Sequence, residues 1–302
     1  MLNHPDHRRQ AMFASPYTWI TSEAHKTSMS QLELSPGNSL CYEHTPPSRT
    51  GGLTFVCFNA LTGDKAMWTG GIGPALLAAG HGLLTYNLRG QRGSDFTPGE
   101  FSVEQIVDDA CALMELTAPE RPVYVGLSIG GLFGLEAHLR GGVARARGLV
   151  LINTLRVENA RLEWINDAVV RVAETGGLDL LRDLFAPLLF NVEWQARNRK
   201  DFLKDGPYRP LPKNDGAYLL LAAGSTANWD QPYEKIDVPV LSVTGLQDRV
   251  FYDGHAVNQL SARIPDITRI EMNNAGHMIP AERPAELAEA ILVFAAGLEV
   301  GA

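Results

Sequence analysis

The sequence has few of the residues that build disulfide frameworks or metal clusters. Its 302 residues include only three cysteines, an odd number with no CxxC spacing, which argues against disulfides and against a zinc cluster. None of the eight histidines lies in an HExxH pattern. We therefore expect free thiols at Cys41, Cys57 and Cys111, and a functional site without a metal ion.

Clustered positive charge and long apolar runs are missing as well. The formal net charge is −8, whereas nucleic acids and anionic membrane surfaces attract proteins with clustered Lys and Arg. No apolar run approaches the roughly 20 residues that span a bilayer. Residues 1–28 lack the apolar core of a signal peptide. We expect a cytoplasmic protein that binds neither nucleic acid nor a membrane.

Short apolar runs rich in β-formers alternate with longer helical patterns from about residue 53 onward. This alternation is typical of a parallel sheet built from βαβ crossovers, and hence of the α/β class. The predicted strands are 53–58, 82–88, 122–127, 148–152, 238–244 and 268–272. Two earlier runs, 31–34 and 39–43, flank a Pro-Gly-Asn turn and predict a hairpin at the antiparallel edge of the sheet.

The alternation stops between residues 154 and 236. Apolar residues at helical spacing predict one helix that ends at Gly176-Gly177 and a second helix around 181–188. We interpret 154–236 as a helical cap inserted into a core formed by 29–153 and 237–302, with 1–28 as an N-terminal arm.

The sharpest local signal is Gly126-Leu127-Ser128-Ile129-Gly130, which lies between a predicted strand and a predicted helix. A serine at such a sharp strand-to-helix turn projects its hydroxyl above the sheet, and small neighbours let the chain bend. This pattern predicts Ser128 as a nucleophile. The amide of Ile129, at the start of the helix, is then a candidate donor to an oxyanion.

Two other interpretations of this segment exist. It could be only a glycine-rich turn, since the pattern constrains three positions. It could also be a dinucleotide fingerprint, because Gly131 and Gly134 add to the glycines after the strand. That fingerprint needs an acidic residue at the end of the next strand, and Asn153 stands there instead.

A serine hydroxyl needs a base and a group that orients the base. Asp248 follows the predicted strand 238–244, and His277 follows 268–272, so both lie beyond strand ends, where open parallel sheets place their active sites. The nearest competitors, Asp253 and His255, fit the first turn of a helix. We predict the triad Ser128, Asp248 and His277.

A second oxyanion donor is expected in the loop after the strand 53–58. The backbone amide of Leu61 is the candidate, with Ala60 as the alternative. The glycine turn 87–94 follows the next strand and is explained as well by a structural role.

The chain from 53 to 298 resembles the α/β-hydrolase family. The resemblance rests on four motifs: GLSIGG at the turn of Ser128, NLRGQRGS, GLQD in the loop of Asp248, and AGHMIPAERPAEL in the loop of His277. The second motif is similar to the family's D-x-R-G-x-G-x-S. It implies a mostly parallel eight-stranded sheet with helices on both faces, an inserted helical cap, the triad named above and no cofactor.

Within that family, the cap segment 161–178 is similar to the oxoadipate enol-lactonase branch, and more loosely to carbon-carbon bond hydrolases of aromatic breakdown. Two positions depart from the family pattern. Asn59-Ala60 replaces the usual His-Gly at the oxyanion turn, and Asn87 replaces the usual Asp of the second turn. The first departure lies in the loop that is expected to supply an oxyanion donor. Ser128 argues against the haloalkane dehalogenases, which need a carboxylate nucleophile.

The resulting hypothesis is a serine hydrolase that cleaves a carboxylic ester or lactone through an acyl-enzyme. A carbon-carbon bond hydrolase, an acyltransferase and a low-turnover ligand receptor remain open. The expected partner is a small-molecule ester, lactone or diketone, and a homo-oligomer is left open. Substrate-pocket candidates in the cap are Trp164, Phe185, Phe190 and Trp194.

Overall fold

The computed structural model describes residues 30–99, 101–203 and 205–300. The predicted N-terminal arm, residues 1–28, lies outside the described residues.

Eight strands form one sheet in the order β1-β2-β4-β3-β5-β6-β7-β8. β1 and β2 form the antiparallel hairpin at one edge, β2 pairs antiparallel with β4, and all other pairs are parallel. The strand bounds are β1 Ser30–Ser35, β2 Asn38–Thr45, β3 Thr54–Phe58, β4 Gly82–Tyr86, β5 Pro122–Leu127, β6 Gly148–Ile152, β7 Val240–Gly245 and β8 Ile267–Met272. The predicted α/β architecture with an eight-stranded, mostly parallel sheet is confirmed, and the predicted strand ends differ from the observed ends by at most two residues.

Helices connect the strands and cover both faces of the sheet. The α-helices are α1 Ala66–Gly70, α2 Gly73–Ala78, α3 Val103–Thr117, α4 Ile129–Arg140, α5 Ala160–Leu189, α6 Val192–Phe202, α7 Gly216–Gly224, α8 Gly254–Ser261, α9 Ile279–Glu282 and α10 Pro284–Val300. Among the described residues, no helix is long and apolar enough to cross a membrane.

The core consists of two apolar layers, one on each side of the sheet. Phe58 and Tyr124 belong to the layer under α3 and α4, while Phe55 and Val125 belong to the layer under α2 and α10. Strands buried on both faces need apolar residues at every position, which is why β3, β5 and β6 are continuous apolar runs without polar alternation. This packing fixes the carboxyl ends of the central strands, from which the candidate site is built.

The long segment between β6 and β7 contains α5, α6 and α7, and we keep the name cap for residues 154–236. The sequence predicts a helix that ends at Gly176-Gly177 and a second helix around 181–188, and α5 consists of two helical parts that meet at Gly177. Gly177 has φ 70° and ψ −164°, so the helix is broken there and resumes in a new direction. A Cβ at Gly177 would lie 2.2 Å from the carbonyl oxygen of Arg209, so this position also requires glycine for space.

Candidate active site

Ser128 lies at the turn between β5 and α4 in a strained backbone conformation. Its φ is 58° and its ψ −125°, a region that residues with a side chain rarely adopt. The flanking glycines are required by contact, because a Cβ at Gly126 would lie 2.3 Å from the amide nitrogen of Gly131. A Cβ at Gly130 would lie 2.3 Å from the carbonyl oxygen of Phe58. The turn therefore has the geometry of a nucleophile elbow.

His277 and Asp248, which are far apart in the sequence, form a buried pair. His277 Nδ1 and Asp248 Oδ2 are 2.6 Å apart, and each residue is 4% exposed. The other oxygen, Asp248 Oδ1, accepts hydrogen bonds from the amides of Val250 at 2.9 Å and Phe251 at 3.0 Å. Burial by itself would raise the pKa of Asp248, but the charge of His277 and these hydrogen bonds outweigh it and hold the pKa below its usual value. The carboxylate is thus kept ionised beside the imidazole.

The competing acid, Asp253, has a different role. Its Oδ1 accepts hydrogen bonds from the amides of His255 at 2.9 Å and Ala256 at 3.2 Å and caps the N-terminus of α8. A capping carboxylate satisfies amides that have no partner inside the helix. Asp253 is therefore explained by local structure.

The hydroxyl of Ser128 contacts an arginine that the sequence analysis missed. Within the described residues no hydrogen bond joins Ser128 to His277; Ser128 Oγ instead accepts one from Arg156 Nη2 at 2.9 Å. Arg156 is only 5% exposed, and its guanidinium lies 4.4 Å from the ring centroids of both Trp229 and Phe251. Catalytic hydrogen bonds are often long or unmade in a structure without substrate, so the contact does not exclude His277 as the base.

Burial also changes the acidity of this arginine. It lowers the pKa of Arg156 to about 10, and the nearby Asp248 and Tyr233 oppose the decrease only in part. The sequence carried one signal for Arg156, a basic residue four positions after the end of the apolar run of β6. Its position against Ser128 depends on rings from distant segments, which local patterns do not reveal.

Asn153, directly after β6, makes hydrogen bonds to the loop of His277 and to the end of β7, which leads to Asp248. Its Nδ2 donates to the carbonyl oxygens of Gly276 at 3.1 Å and His277 at 2.8 Å, and its Oδ1 accepts from the amide of Gly245 at 2.8 Å. Its φ of 48° is in the left-handed region, which asparagine tolerates better than most residues. Sequence reasoning used Asn153 only to argue against a dinucleotide site.

Glu282 holds the loop that carries His277, and it too was missed. It is 5% exposed; Oε2 accepts from the amides of Gly276 at 2.8 Å and Asn191 at 2.7 Å, and Oε1 from Met278 at 2.9 Å. Burial raises the pKa of this carboxyl above its usual value, while the three amides oppose the increase. One side chain thus fixes the backbone on both sides of His277.

The C-terminal end of α5 contacts the same two loops. The amide of His277 donates to the carbonyl oxygen of Leu189 at 2.5 Å, and the amide of Arg249 donates to that of Leu188 at 3.0 Å. The last carbonyls of a helix have no partner within it and carry partial negative charge. The cap is therefore bonded to the backbone next to Asp248 and at His277.

The loop after β3 is held by neutral side-chain amides. Asn59 is fully buried; its Oδ1 accepts from Trp68 Nε1 at 2.8 Å, and its Nδ2 donates to Gln91 Oε1 at 2.9 Å. Gln91 Nε2 then donates to the carbonyl oxygens of Ala60 at 2.9 Å and Leu61 at 3.1 Å. Because both carbonyl oxygens accept a hydrogen bond from Gln91, the backbone of this loop has a fixed orientation. The loop carries Asn59-Ala60 where the family usually has His-Gly.

The two residues predicted to supply oxyanion donors lie near each other. A Cβ at Gly224, at the end of α7, would be 2.3 Å from Leu61 Cδ1 and 3.3 Å from Ile129 Cδ1. In the described part of the chain the amide of Leu61 donates to no acceptor. Ile129 is the first residue of α4, where amides have no partner inside the helix. Their joint role at an oxyanion remains a prediction.

The four aromatic residues predicted for the substrate pocket lie in different surroundings. Trp164 is 79% exposed on α5, and Phe185 is half-buried on the same helix. Phe190 and Trp194 stack on each other with ring centroids 3.7 Å apart. None of the four lines the recess next to Arg156, so their contact with a substrate stays a prediction.

That recess is lined by apolar side chains from the cap and from the loop after β7, together with a few polar groups. Its lining includes Arg156, Leu162, Val250, Phe251, Asp253 and Arg161. Elsewhere, the described residues contain no group of three or more His, Cys, Asp or Glu side chains that could hold a metal ion.

Comparisons with known proteins agree with this geometry. The family model described as alpha/beta hydrolase fold matches residues 54–284. A candidate non-heme bromoperoxidase, BpoC of Mycobacterium tuberculosis, is 26% identical over 256 residues, 79% of this chain and 96% of that protein. Rhodomycin D methylesterase DnrP of Streptomyces peucetius is 25% identical over 250 residues, 72% of this chain and 82% of that protein.

Among solved structures, the enol-lactonase from Burkholderia xenovorans superposes with a TM-score of 0.70 at 24% identity, covering 85% of this chain and 96% of that one. The family match covers well over half of the sequence and includes both the elbow and the loop of His277. The chain belongs to the α/β-hydrolase family.

Proposed function

We propose that this protein is a serine hydrolase that cleaves a carboxylic ester or lactone through an acyl-enzyme. The observation that carries the proposal is the buried pair of His277 Nδ1 and Asp248 Oδ2, 2.6 Å apart, at the same edge of the sheet as the strained turn of Ser128. An acid that orients an imidazole beside a serine elbow is the arrangement that activates a hydroxyl for acyl transfer.

In the proposed first step, Ser128 Oγ attacks the substrate carbonyl while His277 Nε2 takes the hydroxyl proton. Asp248 keeps the proton on Nδ1 and stabilises the imidazolium without being protonated itself. The lowered pKa of Asp248 supports this role, since an ionised carboxylate is required. When the tetrahedral intermediate collapses, the proton passes to the leaving alcohol and the acyl group stays on Ser128.

In the second step, water gives its proton to His277 and attacks the acyl-enzyme, which releases the acid and restores Ser128. The amides of Leu61 and Ile129 are proposed to hold the oxyanion in both steps. Loss of one such donor typically costs about 3 kcal/mol of transition-state stabilisation. The amide network of Asn59 and Gln91 supports the proposal because it fixes the loop of Leu61 from behind.

The named activities of the relatives favour small-molecule esters. A methylesterase and an enol-lactonase are among the proteins that this chain resembles. Both names describe the cleavage of an acyl-oxygen bond.

The first test is covalent labelling with a fluorophosphonate probe, followed by intact-mass spectrometry and peptide mapping. We expect a single adduct on Ser128 that is lost in Ser128→Ala and strongly reduced in His277→Ala. A panel of short and long acyl esters and lactones then ranks the substrates. A folded protein that forms no adduct and hydrolyses no ester would refute the proposal and favour a ligand receptor.

A further inference from the structure

The loop of Leu61 lies at the end of a chain of hydrogen bonds that begins at Trp68. Trp68 is fully buried, and its Nε1 donates to Asn59 Oδ1 at 2.8 Å. Asn59 Nδ2 donates to Gln91 Oε1 at 2.9 Å. Gln91 Nε2 in turn donates to the carbonyl oxygens of Ala60 at 2.9 Å and Leu61 at 3.1 Å. We call the side chains of Trp68, Asn59 and Gln91 the relay.

The two amides of the relay are each held in one orientation. An indole N–H is only a donor, so Trp68 can bond only to the oxygen of the Asn59 amide. The nitrogen of that amide also donates to the carbonyl oxygen of Tyr86 at 2.9 Å, which can only accept. At Gln91, the amide of Leu88 donates to Oε1 at 2.9 Å, which leaves Nε2 for the loop. The relay therefore has one direction, from the indole to the loop.

This direction controls the amide of Leu61, because the carbonyl of Ala60 and the N–H of Leu61 belong to one peptide group. In a planar trans peptide the C=O and N–H bonds point in opposite directions. The carbonyl oxygen of Ala60 is held by Gln91 and by the amide of Gly63 at 2.9 Å, so the N–H of Leu61 points away from Gln91. That amide donates to no acceptor in the described part of the chain. The relay thus leaves it free for a ligand.

The loop that carries this amide is in backbone contact with the turn of Ser128. A Cβ at Gly130, in that turn, would lie 2.7 Å from the carbonyl oxygen of Asn59. The amides of Leu61 and Ile129 therefore belong to two segments that touch each other. No member of the relay has a titratable side chain, so the orientation it imposes on the loop does not depend on the protonation of the relay.

We infer that Trp68 is a positioning residue, which acts through Asn59 and Gln91 to hold the amide of Leu61 toward the ligand. The identity of that ligand, the oxygen of a reacting acyl group, rests on the proposed function. Without the indole N–H, the fully buried oxygen of Asn59 loses its donor. A buried acceptor without a partner costs free energy, and hydrogen bonds in a chain polarise one another. The loss of the first donor therefore weakens the hold of Gln91 on the peptide of Leu61.

The test is a double-mutant cycle on kcat for ester hydrolysis, with Trp68→Phe and Gln91→Met as the single changes. Gln91→Met removes the donor to both loop carbonyls and should lower kcat about 100-fold, as the loss of an oxyanion donor does. Trp68→Phe should lower kcat roughly tenfold. KM should stay within about threefold of wild type in both, because the amide of Leu61 is proposed to act on the transition state. In the double variant kcat should be no lower than in Gln91→Met, since Trp68 acts through Gln91.

Gln247→Met is the matched control, since Gln247 Nε2 also donates to a loop carbonyl oxygen, that of Asn273, but lies outside the relay. The effects of Trp68→Phe and Gln247→Met on kcat should multiply. A further tenfold loss from Trp68→Phe in the Gln91→Met background would overturn the inference and leave Trp68 with a packing role only. A wild-type kcat in Trp68→Phe would overturn it as well. Replacing Trp68 by 3-benzothienylalanine, which has the shape of tryptophan but no N–H, gives the same comparison if the phenyl ring does not support folding.

Nuclear magnetic resonance of the indole N–H separates the relay from the proposed function, because it requires no hydrolysis. In protein labelled with ¹⁵N-tryptophan, the indole signal that is absent from the Trp68 variant belongs to Trp68. Gln91→Met should move this proton upfield, because the hydrogen bond at Trp68 loses the polarisation by the rest of the chain, and Gln247→Met should leave it unchanged. Such a shift in a protein that fails the fluorophosphonate test would support the relay and refute only the hydrolase. A Trp68 signal that does not respond to Gln91→Met would refute the relay.

Discussion

Two loops at the edge of the sheet are held in place by different groups. The loop of Leu61 is fixed by the neutral amides of Asn59 and Gln91, whereas the loop of His277 is fixed by the carboxylate of Glu282 in addition to the amide of Asn153. The proposed chemistry explains the difference. The first loop has to face a negative oxyanion, which a carboxylate behind it would repel, while the second carries the imidazole that becomes positive.

On the proposed mechanism, a supporting group has to fit the charge that develops in the reaction as well as the hydrogen bonds of the loop. A glutamine and a glutamate have the same shape, so exchanging them in either loop separates the effect of charge from the effect of packing. The following predictions begin with the residues that would carry the charge and end with the carboxylate that orients the base.

The largest effect is expected when a member of the proposed triad is replaced. His277→Ala or Ser128→Ala should lower kcat on the order of 10⁴- to 10⁶-fold, and Asp248→Asn about 10⁴-fold, when ester hydrolysis is followed at saturating substrate. Asp253→Asn is the control and should cost less than about tenfold, because Asp253 only caps α8. If Asp253→Asn were the more damaging change, the assignment of Asp248 would be wrong.

Placing a carboxylate behind the first loop should have the next largest effect. Gln91→Glu replaces the amide that donates to the carbonyl oxygens of Ala60 and Leu61, and it adds a negative charge near the proposed oxyanion. We expect kcat to fall about 100-fold with little change in KM, comparable to the loss of one oxyanion donor.

Gln247→Glu is the control for this change, since Gln247 donates in a similar way to the carbonyl oxygen of Asn273 near the second loop. It should change kcat less than about threefold. Equal effects of the two substitutions would show that charge does not distinguish the loops.

Neutralising the second loop should have a smaller effect. Glu282→Gln keeps the shape but leaves one of the amides of Gly276, Asn191 and Met278 facing an N–H group. We expect kcat to fall about tenfold and the free energy of unfolding in urea to fall by about 1–3 kcal/mol. Glu286→Gln, an exposed carboxylate near the same loop, should stay within about 0.5 kcal/mol of wild type. Activity and stability equal to wild type in Glu282→Gln would argue against its role.

The smallest expected effect is on stability in acid. The pKa of Asp248 is lower in the folded protein than its usual value, so ionisation stabilises the fold above the unfolded pKa of about 3.9. This contribution is lost as the pH falls through the lowered folded pKa. The difference in unfolding free energy between wild type and Asp248→Asn should therefore be constant above about pH 5 and shrink below about pH 4. A difference independent of pH would contradict this sign.

The sequence predicts the parts of this molecule that depend on local pattern. The buried strands were found because continuous apolar runs between turns are distinctive, and the elbow was found because Gly126 and Gly130 are required by contact. α6 and α7 were not predicted. The helix end predicted at Gly176-Gly177 and the second helix predicted around 181–188 agree with the break of α5 at Gly177, and the contact with Arg209 explains why glycine stands there.

The supporting residues of the site could not be predicted in the same way. Arg156, Asn153 and Glu282 act through partners that are distant in the chain, and a single polar residue after a strand or in a helix has no distinctive local pattern. The same holds for Trp164, which has the size of a pocket residue but is 79% exposed. Side-chain type alone does not give the direction in which a helix face points.

The amides of Arg249 and His277 donate to the last carbonyl oxygens of α5, so the cap is joined to both loops of the proposed acid-base pair. Helix ends fray before a sheet core unfolds, because they open with little free energy. Fraying of this end would remove one support from each loop while β5 to β8 stay intact. On heating, we expect hydrolytic activity to disappear several degrees before the circular dichroism signal of the fold, so that thermal inactivation reports on one helix end and not on the whole domain.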